Sequence, residues 1–360
     1  MRPSSSFTIS QNFLRDPSLV DTLIARAGLH SGELVLDLGA GSGAITARLL
    51  RRGCRVVAVE ADPCLGRQLR QRFGPAVEVR VQRIVDCELP REPYRVFANI
   101  PFTITAEVIH LLTDAARPPG DACLVVQREA ARRFLGRPHP TLVAALLAPW
   151  FALSVEHHFR STDFVPKPSV EAVLLRLRKR GPPLVRDDRR RDFGDFVVTL
   201  FGAPRTIDTS LRRLLGADAA YRIRRELQLE PDVRPSQIAV DRWPALFAAF
   251  EAGASRETRR CLSGAAARLE RQQSRLHKRH RTRVPHRQVR PGETSAVRPP
   301  PRARSAHPYN GAPCWGRRSS SGGSPSARRP RCARSNRGST PPAPACPGSC
   351  GVRRGGRAYG

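Results

Sequence analysis

Leu34-Val35-Leu36-Asp37-Leu38-Gly39-Ala40-Gly41-Ser42-Gly43 decides how this chain folds. Four aliphatic residues around Asp37 read as a buried strand, and three glycines at alternate positions follow, allowing close backbone approach and positive φ. Helical spacing then runs over 44–52, so the unit is strand, glycine turn, helix. The same alternation continues outward. Residues 55–60 form a second strand, Asp62-Pro63 opens a helix to Phe73, and 77–81 is a third strand that ends near Asp86. Residues 94–98 and 122–127 supply a fourth and fifth, with a helix over 103–113 between them. Upstream, Asp16 as N-cap and Pro17 at the first helical position open a helix with apolar residues 19, 20, 23, 24 and 27 on one face. Such alternation predicts an α/β fold of βαβ units, with a parallel sheet covered on both faces.

Past a helical region over 128–150, strands at 153–159 and 170–178 flank the loop Asp163-Phe164-Val165-Pro166-Lys167-Pro168. Having no helix between them, they predict an antiparallel hairpin at one sheet edge. From Asp187 the apolar spacing is wholly helical, through Phe193, Phe196, Leu200, Leu211, Leu215, Ile223, Trp243 and Phe250. The expected division is a sheet domain over 1–180, a helical domain over 181–253, and a low-complexity Arg/Pro/Gly/Ser-rich tail over 254–360 that is expected to be disordered.

Charge is distributed as unevenly as composition. Of 62 Lys and Arg, 25 lie beyond Gly253 with only 3 of the 31 Asp and Glu, so that stretch holds +22 of the net +31. A polyanionic partner is predicted. The tail suits either a non-specific RNA-binding extension or a functionless appendage. The nine cysteines show no CxxC pair and no Cys/His cluster, so no metal is expected and a reducing compartment is. The first residues lack the apolar core of a secretion signal, and the run 142–153 is too short for a membrane span and holds Pro149. A cytoplasmic protein without membrane attachment is expected, with a monomer as the default.

The glycine turn satisfies GxGxxA through Gly39, Gly41 and Ala44, and Glu60 follows at the end of the second strand, where a carboxylate can accept ribose hydroxyls. At this point a nicotinamide dehydrogenase and an S-adenosylmethionine methyltransferase are both allowed. Asp86, after the third strand, is an acid that can accept an adenine's exocyclic amine. Asn99-Ile100-Pro101-Phe102 closes the fourth strand and separates the two readings, because hydride transfer has no use for an amide–proline–aromatic turn. A planar amine-bearing ring does: it needs an acceptor for its N–H, a rigid bend beneath it and a π-face to lie on. All four positions fall at carboxyl ends of strands, where open α/β sheets bind ligands.

These motifs, with Ser10-Gln11-Asn12-Phe13-Leu14 before them and Phe164-Val165-Pro166-Lys167-Pro168-Ser169-Val170 after, resemble the rRNA adenine-N6 methyltransferase family, which includes the 16S dimethyltransferases and the Erm-type 23S enzymes. The resemblance spans about residues 7–250, and Asn-Ile-Pro-Phe followed by Thr103-Ile104-Thr105-Ala106-Glu107 is similar to the Erm group. It implies a Rossmann-like S-adenosylmethionine methyltransferase sheet with a small C-terminal helical domain. It implies cofactor contacts from Gln11, Asn12, Leu14, Gly39, Gly41, Glu60, Asp86 and Asn99, and catalytic roles for Asn99, Ile100, Phe102 and Phe164. The target adenine is expected between the rings of Phe102 and Phe164, its N6 held by the Asn99 side chain and the Ile100 carbonyl. Asp37 stands where the family has Glu, Phe102 where Tyr is usual, and Val85 where Gly is frequent. The implied activity is N6 methylation of one 23S rRNA adenine, giving macrolide, lincosamide and streptogramin B resistance; the alternative is 16S dimethylation in small-subunit maturation. A non-enzymatic RNA-binding member is a further possibility. Candidate RNA-holding cations are Arg128, Arg132 and Arg133; Arg176, Arg178, Lys179 and Arg180; and Arg205, Arg212 and Arg213.

Overall fold

The computed structural model describes residues 12–203 and 205–272. Strands are β1 (Phe13–Leu14), β2 (Leu34–Leu38), β3 (Arg55–Glu60), β4 (Val77–Val81), β5 (Arg95–Asn99), β6 (Asp121–Gln127), β7 (Phe151–His158), β8 (Phe164–Val165) and β9 (Ala172–Lys179). The helices around the sheet are α1 (Pro17–Arg26), α2 (Ala44–Arg51), α3 (Pro63–Phe73), α4 (Thr105–Thr113), α5 (Arg128–Leu135) and α6 (Leu142–Leu147). A helical region follows: α7 (Arg190–Phe201), α8 (Ile207–Leu215), α9 (Ala217–Glu226), α10 (Trp243–Gly253) and α11 (Arg256–Leu262).

Seven strands order as β4-β3-β2-β5-β6-β9-β7. The first five are parallel, and β9 pairs antiparallel with both β6 and β7, which is the hairpin edge that the sequence predicts. Strand order reverses between β2 and β5, so a crevice opens beyond their carboxyl ends, where the loops part to opposite faces. That places the glycine turn and the Asn99 turn side by side.

Alternation along β2 serves both faces. Leu34, Leu36 and Leu38 enter one core with α4 and the helical region, while Val35 enters the other with α1 and α2. The first core runs without a break into the helical region through Trp150 and Phe193, whose rings meet edge-on at 5.5 Å. Asp16 caps α1 as its sequence predicts, accepting from the Ser18 N–H at 2.8 Å.

Three features differ from the sequence reading. The helical stretch over 128–150 is two helices, because Pro138 and Pro140 interrupt it. Phe13–Leu14 and Phe164–Val165, read as motif and loop, form a separate two-stranded antiparallel pair. The chain also stays helical past 253. It forms α11 and a further helical stretch over 265–272, with Ala254 and Leu262 buried, so the expected tail begins later than residue 254. The rest of that tail, and Gln11, lie outside the described residues.

Candidate active site

Asn12, Phe13, Gly39, Asn99, Ile100, Pro101 and Phe102 line one cleft at the β2/β5 reversal. Gly39 enters it with φ of +78°, and a Cβ there would meet Ile84 Cδ1 at 3.4 Å and Pro101 Cδ at 3.6 Å. Those are ordinary contacts, so it is the positive φ that favours glycine here, and its backbone lines the cleft. Main-chain bonds from Gly39 N and Ala40 N to the Val59 carbonyl, at 2.8 and 3.1 Å, tie the turn to β3.

Glu60 is buried, and its two carboxylate oxygens accept from Gly41 N at 2.8 Å and Asp62 N at 2.9 Å. The open carboxylate expected to receive both ribose hydroxyls is here a brace between the glycine turn and α3. Its remaining lone pairs are what it has left for a ligand. Asp37 sits beneath the same turn, 1 % exposed, with Oδ2 accepting from Thr46 Oγ1 at 2.6 Å and Oδ1 without a side-chain or main-chain partner among the described residues. Burial pushes its carboxyl up to about 7, against the pull of the Thr46 hydrogen bonds and with the Glu60 charge adding to the rise. The sequence reading gave Asp37 no site role; a lone acid in an otherwise aliphatic strand was the signal.

Asn99 ends β5, and the turn after it leads into α4. Asn99 Nδ2 donates to the Asn12 carbonyl at 2.6 Å. That bond fixes which end of the amide is nitrogen and leaves Oδ1 as an acceptor. The Ile100 side chain is buried, so what this residue offers the cleft is main chain. Phe102 opens a tight turn, with Ile104 N donating to the Pro101 carbonyl at 3.1 Å and Thr105 Oγ1 to the Phe102 carbonyl at 3.0 Å. Its ring is partly exposed at the cleft wall.

Two expected site residues stand elsewhere. Asp86 ends a short turn after β4, points to solvent and holds Arg83 through bonds of 2.6 and 2.8 Å, which keeps its carboxyl below the usual range. Ile84, two residues earlier, is what reaches the glycine turn; it is a buried packing residue beneath Gly39 that the sequence reading missed, signalled only by an apolar side chain in a loop. Phe164 is 1 % exposed and packs edge-on against Phe159 at 5.3 Å. It is a core ring under the β1–β8 pair and presents no open face to the cleft. Leu14 is buried opposite it in that pair, and the Phe13 ring lies on Gly41, where a Cβ would come within 2.7 Å of it.

The basic residues also divide. Arg176 is spent inside the protein, its Nε donating to Asp121 at 2.9 Å, beside Arg95 on the same carboxylate. Arg128 pairs with Glu171, Arg132 with Glu129, Arg212 with Asp208, and Arg180 donates to the Ala148 carbonyl. Arg133, Arg178, Lys179, Arg205 and Arg213 are exposed, with no carboxylate partner among the described residues.

A family model for ribosomal RNA adenine dimethylase matches residues 4–250. The chain belongs to the ribosomal RNA adenine dimethylase family. A relative named rRNA methyltransferase, from Streptomyces thermotolerans, is 34% identical over 242 residues, covering 66% of this chain and 80% of that protein. Mycinamicin-resistance protein MyrB of Micromonospora griseorubida is 30% identical over 241 residues, covering 66% and 77%. The crystal structure of 23S rRNA methyltransferase ErmE superposes with a TM-score of 0.62 at 26% identity, covering 67% of this chain and all of that one. The enzyme is an rRNA adenine methyltransferase, and no helix among the described residues is long and apolar enough to cross a membrane.

Proposed function

We propose that this enzyme transfers a methyl group from S-adenosylmethionine to N6 of one adenine in 23S ribosomal RNA, and so confers macrolide, lincosamide and streptogramin B resistance. The carrying observation is the Asn99 turn, with an amide oxygen free as acceptor, main chain of Ile100 and the Phe102 ring on one cleft with Gly39. The similarity to a mycinamicin-resistance protein and to ErmE favours 23S over 16S.

The residues fit the cofactor where the Gly39 backbone lines the cleft and where Asn12 and Asn99 converge on it. When bound, the sulfonium supplies an already activated methyl group. The chain therefore has to position and to stabilise charge. Asn99 Oδ1 and the Ile100 carbonyl accept the two N6 hydrogens, which directs the nitrogen lone pair at the methyl. The face of Phe102 stabilises positive charge passing over it, worth about 1–2 kcal/mol once water is excluded. The proton leaves to water after transfer, so no side chain has to act as general base.

Tritiated-methyl transfer to purified 23S rRNA and to pre-30S particles, with mapping of the modified base, tests the reading. Label at one adenine of 23S is expected; label confined to 16S overturns it.

A further inference from the structure

The family match ends at residue 250, yet the ordered chain does not. Residues 254–272 fold back onto the helical region. Ser255 caps α11 through a 3.1 Å bond from Thr258 N, Leu262 is buried, and Ala254 closes against the end of α10. The fastening point is Asp195 on α7, which is 3 % exposed. One of its oxygens accepts from Gly264 N and the other from Ala266 N, both at 2.8 Å. A buried carboxylate that takes two backbone N–H groups at the start of a helical stretch both satisfies its own charge and fixes where that stretch begins.

The outward side of this segment is strongly basic. Arg256, Arg259, Arg260, Arg268 and Arg271 are all exposed, against Glu257 and Glu270. Arg259 and Arg268 donate to the main-chain carbonyls of Glu251 and Ser263; Arg256, Arg260 and Arg271 make no side-chain hydrogen bond among the described residues. Five guanidiniums on a firmly docked surface suit a phosphate backbone, since fixed cations release counterions without first being ordered. We propose that residues 254–272, beyond the span of the family match, are an accessory RNA-backbone-binding element docked by Asp195. The inference rests on the rRNA reading of the cleft.

The test measures binding of a 23S rRNA fragment by the full chain across a salt series, together with cofactor affinity and single-turnover methylation at saturating RNA. In the triple variant Arg256→Gln, Arg260→Gln, Arg271→Gln, the slope of log affinity against log salt should shrink by about 2, with cofactor affinity and the saturated methylation rate unchanged. An unchanged slope overturns the proposal. Asp195→Asn should weaken RNA binding to the level of the triple variant and open the segment to trypsin. If the segment opens while RNA affinity holds, the docking role is overturned. Should the parent chain bind RNA with this salt dependence yet methylate nothing, the cleft reading fails and the binding element stands.

Discussion

At the scale of single residues, Asn99 carries the most specific expectation. Removing one positioned hydrogen-bonding group from a reacting centre typically costs about 10²–10³ in rate. Asn99→Ala should therefore slow single-turnover methylation by about 10²-fold, with RNA affinity little altered. A near-parental rate in quench-flow would remove the role given to this amide. Asp37 makes a different expectation, one of pH. Its carboxyl titrates near 7 in the folded protein against an ordinary 3.8, so the folded state binds a proton that the unfolded chain has already released. Its contribution to stability is whole below the lower value and is lost as pH rises through the upper one. Asp37→Asn removes that titration. The unfolding free energy of the variant relative to the parent should grow between about pH 4 and about pH 7, read by denaturant melts. A constant difference across that window would mean that Asp37 stays charged.

At the scale of elements, the first three parallel strands were legible with their bounds. Leu34–Leu38, Arg55–Glu60 and Val77–Val81 fall where apolar runs and turn signals put them. What escaped was pairing too short to have a period. β1 and β8 are two residues each, and nothing in Phe13-Leu14 or Phe164-Val165 announces that they meet. The fate of Phe164 follows from that pairing, since an aromatic beside prolines looks the same in sequence whether it stacks on a ligand or fills a core. Phe164→Ala should cost about 3–5 kcal/mol in unfolding experiments as a core cavity, whereas Phe164→Leu should keep most of that stability. A Phe164→Ala variant as stable as the parent would show the ring to be free of the core. Asp86 was misplaced for a related reason: sequence locates a residue after a strand, but a short helical turn decides which side it faces, and here Arg83 holds it outward.

For the molecule as a whole, the parallel sheet, the hairpin edge and the helical region were all readable from periodicity. Their shared boundary with the C-terminal stretch was not. Arginine-rich composition concealed Ala254 and Leu262, two buried residues too sparse to form a helical pattern on their own. Long-range bonds such as Asn99 to Asn12, and Asp195 to Gly264 and Ala266, have no sequence signature, because each joins positions that only the finished fold brings together.

Phe13 lying on Gly41 has a kinetic corollary. The ring belongs to a strand held at its other side by Phe164 and Val165, so packing pins it against the glycine turn. If that ring has to lift before a small reactant settles on the turn, the lifting is a first-order event whose frequency no amount of reactant can raise. Stopped-flow traces of cofactor uptake should thus level off at high concentration, and Phe13→Ala should lift the ceiling; strictly linear rates would show that the entrance stands open.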